Sequence, residues 1–168
     1  MTIKIILILA ICLLVIFVAY KIYAYYKARQ NYYQNMCDFC SYLESQINFL
    51  KTDICKLIEN KREEYYKEFS NTLLAYKKAL KSGQDFKNEF LSSLAKLSIL
   101  SEEEKNKILS FFDSLGKTNQ IDQLAQISSY KKEFENNLDI SKTEITKKGA
   151  TSLKLGILMA IAVFVIFI

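Results

Sequence analysis

The residues with the strongest claim on chemistry are Cys37 and Cys40, a CxxC pair, with Cys55 as a third thiol downstream. Thiolates at that spacing can hold zinc or exchange a disulfide, but a zinc site normally takes four nitrogen or sulfur ligands. The chain has no histidine, so imidazole supplies neither the missing ligands nor the commonest acid–base catalyst. Cys37, Cys40 and Cys55 are therefore weak metal candidates. On a helix Cys40 falls in an apolar stripe, where cysteine behaves as a small hydrophobe, and a core role is preferred to a metal or redox one. The string Gly116, Lys117, Thr118 matches the end of a P-loop. That motif needs a glycine five residues earlier, where Phe111 stands, and a preceding strand where an amphipathic helix is predicted. The acidic run Glu102, Glu103 and Glu104 reads as a first-turn set favoured by the helix dipole. The chain is accordingly expected not to be an enzyme, with no catalytic residue and no cofactor.

The elements that position these residues begin with two apolar ends. There is no charge from Ile5 to Tyr20 and none from Leu155 to Ile168. A bilayer core of ~30 Å needs roughly 20 helical residues. The first run meets that between Lys4 and Lys21, and the second does so if extended to about Ala150, with Lys154 snorkelling to the headgroups. Transmembrane helices are expected over residues 4–22 and 150–168, with a domain over 30–148 between them. A cleaved signal peptide would need small residues where Phe17, Val18 and Tyr20 are bulky, and a lipoprotein site would need one at Ile11, before Cys12. Lys21, Lys27 and Arg29 follow the first span, and Lys142, Lys147, Lys148 and Lys154 flank or enter the second. The middle is thus expected in the cytoplasm of a two-pass cell-membrane protein, with both termini on the far side. Tyr20, Tyr23, Tyr25 and Tyr26 sit where an aromatic belt would lie, and cytoplasmic thiols would stay reduced. The formal charge of +5 is concentrated near the membrane, where it answers to lipid rather than to nucleic acid.

Between the ends the chain has no proline, and of its four glycines Gly83 and Gly116 lie between periodic segments, where helix C-caps belong. Tyr33, Met36, Cys40, Leu43, Ile47 and Leu50 recur at spacings of three and four. Ile54, Ile58, Tyr65, Phe69, Leu73, Tyr76 and Leu80 form a second stripe, and Phe86, Phe90, Leu94 and Leu97 a third. Ser101 and Glu104 have capping-box spacing before a helix whose face is Ile108, Phe111, Phe112 and Leu115. Asn119 reads as the next N-cap, with Asp122 three residues on. Leu124, Lys131, Leu138 and Ile145, interleaved with Ile127, Phe134 and Ser141, then hold a heptad register, and nothing from Asn119 to Ile168 demands a break. The expected fold is all-α: an antiparallel helical bundle carried on two terminal transmembrane helices, the first and last helices being antiparallel rods of ~70 and ~75 Å.

At this point the residues resemble a known family. FFDSLGKTNQIDQLAQI is similar to the F-x-x-x-LG-x-x-D-x-x-x-Q signature of the stage III sporulation protein AB family. YLESQINFL resembles that family's LE-x-E-I-x-Y stretch, and SLKLGILMAIAVFVI its terminal anchor. Leu115, Gly116 and Gln123 match directly. Asn119 stands where an aspartate is usual, Gln46 where a glutamate is usual and Ala160 where a glycine is usual. Asn119 keeps N-cap capacity but removes a charge, while Gly156 and Ala160 leave a small-xxx-small patch for close packing in lipid.

The resemblance implies a likeness to the F-type platform proteins of type II secretion and a place in the channel complex between mother cell and forespore. The implied partners are a cytoplasmic secretion-type ATPase resembling stage III sporulation protein AA, other membrane proteins of that complex and lipid, with homo-oligomerisation left open. Glu44 is the first candidate for the ATPase contact, against the alternative of a solvated surface glutamate. The competing function is a membrane-tethered helical sensor or adaptor with cysteine-based redox or metal input. A small phage-type membrane protein is disfavoured by the long capped bundle. With the second apolar run ending the chain, recognition is expected in the bundle or along bilayer faces such as Gly156 and Ala160.

Overall fold

The computed structural model describes residues 2–47, 58, 62–82 and 85–167. Leu50, Ile54, Cys55 and Gly83 lie outside the described residues. Among those described, every regular element is helical: α1 Thr2–Ile47, a 3-10 turn Arg62–Glu64, α2 Lys67–Ser82, α3 Phe86–Leu94, α4 Glu102–Ser114, α5 Gln120–Glu144, a π turn Ile145–Gly149 and α6 Ala150–Phe167. They form two compact units, Asn31–Leu138 and the paired segments Met1–Gln30 and Asp139–Ile168.

The unit Asn31–Leu138 is an all-α bundle whose core faces follow the periodic stripes. Tyr33, Met36, Cys40 and Leu43 on α1, Phe69, Leu73 and Tyr76 on α2, and Phe90 and Leu94 on α3 are all buried. So are Ile108, Phe111 and Phe112 on α4, and Ile127, Phe134 and Leu138 on α5. α1 buries more than its predicted stripe, because Tyr32 and Phe39 are also enclosed. The helices meet on two adjacent rings. Phe112 lies 6.1 Å from Phe39 on α1, 4.7 Å from Tyr76 on α2 and 5.3 Å from Phe90 on α3. Phe111, beside it, lies 5.4 Å from both Tyr130 and Phe134 on α5. Ring pairs at these separations add roughly 0.5–1.5 kcal/mol each beyond their buried area. α4 is started by the predicted capping box, Ser101 Oγ accepting from Glu104 N–H at 3.3 Å and Glu104 Oε2 from Ser101 N–H at 2.7 Å.

Two parts of the second stripe depart from expectation. Tyr65 and Tyr66 are not helical, so α2 begins at Lys67, although the Tyr65 ring still packs 5.1 Å from Phe69. Leu80, at the far end of that stripe, is 40% exposed.

The other unit is a helix pair. Ile8, Cys12 and Ala160 are buried together with Val163 packed against them, and the Cys12 thiol donates to the Ala160 carbonyl at 3.3 Å. A Cβ on Gly156 would lie 2.3 Å from the Ala19 Cβ, so the helices approach more closely there than any side chain permits. Outside this seam the apolar residues face outward, Leu13, Phe17, Leu158 and Val165 among them. Two helical stretches, Ile5–Gln46 and Gln120–Phe167, are long and apolar enough to cross a membrane. Only 17% and 6% of their most apolar windows are buried, unlike helices in a soluble core.

The π turn is the feature that periodicity did not foresee. Ile127, Phe134 and Ser141 are buried at intervals of seven, which would next bring Lys148 inward, yet the buried residue is Gly149 and then, seven on, Gly156. A π turn holds one residue more than the α-helical register, so it exchanges a lysine for a glycine on the pairing face. Lys148 instead lies outside, its Nζ 2.9 Å from Glu144 Oε1, while Glu144 Oε2 receives Arg29 Nη1 at 2.9 Å.

Gly156→Ala is expected to lower the thermal midpoint of the detergent-solubilised chain by several degrees, through overpacking of roughly 1–3 kcal/mol. Adding Ala19→Gly removes the clashing Cβ and restores the midpoint; a double variant no more stable than Gly156→Ala would refute the seam.

Candidate functional site

The residues singled out by sequence converge on the turn between α4 and α5. α4 ends at Ser114, Leu115 follows in extended conformation with its side chain buried, and Gly116 adopts φ 78°. That left-handed value is open to glycine and strained for other residues. The Gly116 N–H donates to Gln123 Oε1 at 2.9 Å, so a buried side chain from the first turns of α5 reaches back and fixes the reversal. Asn119 caps α5 with Oδ1 accepting from Asp122 N–H at 3.0 Å, and its Nδ2 donates to Asp122 Oδ2 at 2.6 Å. An aspartate at this position could not make the second bond and would face Asp122 with like charge, so the asparagine suits its neighbour. Leu115, Gly116, Asn119 and Gln123 are thus brought together as one stapled turn.

Lys117 is held by Asp113, which also receives Lys87 Nζ at 3.2 Å. The Lys117 hydrogen bond, with Lys87 beyond it, holds the Asp113 carboxyl below the usual carboxylate range. The residues before Gly116 are the helix α4 rather than a strand and glycine loop, so the turn does not build a phosphate cradle.

Glu44 on α1 accepts from Lys131 Nζ on α5 at 2.9 Å, with the two side chains 27% and 25% exposed. It is neither free in solvent nor deep in the core but pins two helices together. The clue was available in the sequence: Lys131 interrupts an otherwise apolar heptad position, and a half-buried ammonium requires a counter-charge. The Glu44 hydrogen bond raises the Lys131 pKa.

Cys37 and Cys40 are buried, and burial pushes the Cys40 pKa up, making it a poor nucleophile. Cys55 lies outside the described residues. Among the described residues no three of His, Cys, Asp and Glu gather as a metal-ligand set. Gly156 and Ala160 face α1 of their own chain, so that patch is occupied internally.

Some interactions carry no local signature. Glu104 serves the capping box with one oxygen, while its Oε1 accepts the Tyr33 hydroxyl at 2.5 Å. Tyr32 and Thr72 share a buried hydroxyl bond at 3.2 Å. Nothing in the spacing of Tyr33 and Glu104, or of Tyr32 and Thr72, announces these pairs.

A family model described as stage III sporulation protein AB matches residues 3–168. The chain belongs to that family. The match takes in both apolar segments and the stapled turn, placing the protein in sporulation. No curated protein and no solved structure matches the chain.

Gly116→Ala forces a side chain into the left-handed region and is expected to cost about 1–2 kcal/mol, and Asn119→Ala about 1 kcal/mol for the lost cap. Denaturant unfolding of the solubilised chain measures both, and a Gly116→Ala variant as stable as wild type would contradict the turn geometry. For Glu44→Gln the loss is about 1 kcal/mol or less, since the pair is partly solvent-screened. Because Lys131 titrates higher in the folded chain, the pair's contribution is complete below lysine's ordinary value of 10.5 and fades as pH rises through the raised value. Melting curves of wild type and Glu44→Gln should therefore differ at pH 8 and converge in strong alkali; a constant gap would count against this ion pair.

Proposed function

We propose that the chain is a non-enzymatic membrane component of the channel complex joining mother cell and forespore. Its bundle is cytoplasmic, on the mother-cell side, and couples a secretion-type ATPase, similar to stage III sporulation protein AA, to the membrane assembly. The observation that carries this reading is the family match over residues 3–168, which embraces two outward-facing apolar helices and the bundle together. Lys21, Lys27 and Arg29 beside the first apolar run, and Lys142, Lys147 and Lys148 before the second, support the cytoplasmic placement by the positive-inside rule.

Mechanical coupling suits the elements present. α1 is one helix from Thr2 to Ile47, and its apolar and bundle portions share one continuous backbone ladder. Glu44 and Lys131 tie α1 to α5 within the bundle, so a load on one of these helices reaches the other. The sensor reading draws no support from Cys37 and Cys40, whose thiols are buried.

A pull-down of the full chain in detergent with the candidate ATPase, with and without ATP, tests the proposal. Nucleotide-dependent retention is expected, and retention is expected to fall at least fivefold in Glu44→Ala if that residue also meets the partner. Failure to retain the ATPase in any nucleotide state would overturn the coupling role.

A further inference from the structure

Beside the stapled turn lies an open groove of about 590 Å³. Leu80 from α2 and the half-buried Phe86 from α3 provide its accessible apolar surface, over a floor of the buried Tyr76 and Phe112, and Lys87, Asp113 and Lys117 stand along it. The volume falls in the range of specific binding pockets. Leu80 shows that the apolar surface is incomplete: it continues the stripe of Phe69, Leu73 and Tyr76, all buried, yet it is 40% exposed. The rest is rigid, since the Tyr76 and Phe112 rings are 4.7 Å apart and Leu115, on the same wall, is held by the Gly116–Gln123 staple.

Charge selects the occupant. Lys87 and Lys117 share one carboxylate, Asp113, so the rim keeps one net positive charge. The lysine side chains are 68% and 60% exposed against 22% for Asp113, which leaves ammonium protons directed toward solvent. A carboxylate arriving beside an apolar side chain would meet both features at once. A nucleotide fits less well, because its phosphates would find the Asp113 carboxylate between the lysines.

We propose that this groove docks a protein segment in which a bulky apolar side chain is flanked by acidic residues. The inference is independent of which protein supplies the segment and so stands apart from the ATPase reading. It also gives the α4–α5 turn a purpose beyond stability, that of holding Leu115 and Lys117 in a preformed wall.

The test uses the full chain in phosphatidylcholine nanodiscs and fluorescence anisotropy. The probe is a labelled hexapeptide pool with Phe, Leu or Tyr at the two central positions and Asp or Glu at the other four. Saturable binding is expected, weakened roughly tenfold by Lys87→Glu with Lys117→Glu and also by Leu80→Asp, and weakened by salt. A pool with Lys in place of the acids should bind the double lysine variant in preference to wild type. Because all three positions are exposed, unchanged melting of the variants confirms that folding is intact. Absence of binding, equal binding of an acidic pool with Gly and Ser at its centre, insensitivity to both variants, or displacement by ATP would each overturn the proposal.

Discussion

The bundle depends on the adjacent rings of Phe111 and Phe112. Through Phe112, α4 touches rings on α1, α2 and α3, and through Phe111 it touches two on α5. Large rings bury roughly 150–250 Å² apiece and prefer edge-to-face or offset geometry, so they set angles as well as distances. Further ring pairs reinforce them, Tyr32 and Phe39 on α1 against Phe69 on α2 and Tyr76 on α2 against Phe86 and Phe90 on α3. The position of α4 then determines where the turn from Leu115 to Asn119 must emerge, and Gln123 secures that turn from the other side.

The helix pair is governed by the opposite requirement. Its residues point large apolar side chains outward and reserve small ones, Ala19, Gly156 and Ala160, for the seam. In hydrocarbon, apolar contact between helices gives no advantage over contact with lipid, and close backbone approach with van der Waals packing takes over. Such a seam tolerates no error in phase. The π turn at Ile145–Gly149 corrects the phase by one residue, and Glu144, bridging Arg29 and Lys148, ties the corrected register to α1.

The residues whose types suggested chemistry have structural partners instead. Cys12, Cys37 and Cys40 are enclosed and the acidic run opens a capped helix. Leu115, Gly116 and Gln123 make a turn fixed by a left-handed glycine and a side-chain staple.

The amino-acid sequence by itself determined the helical class, the two apolar ends, the core stripes, the capping box at Ser101 and the N-cap at Asn119. Each of these rests on a local or periodic rule, such as a 3.6-residue repeat, a hydroxyl three residues from a carboxylate or a run without charge. The family resemblance was likewise written in three short contiguous strings. What only the tertiary structure decided were relations between distant residues. Leu80, near the end of α2, stands 40% exposed although it continues the stripe. Gly156 and Ala160, read as a face open to partners, were claimed by Ala19 and Cys12, and Glu44 found Lys131. The π turn belongs with these, because the local sequence Ile145 to Gly149 is satisfied by α or π geometry alike. The choice was made by a glycine that must meet the opposite helix where a lysine could not, and no rule confined to one segment contains that helix.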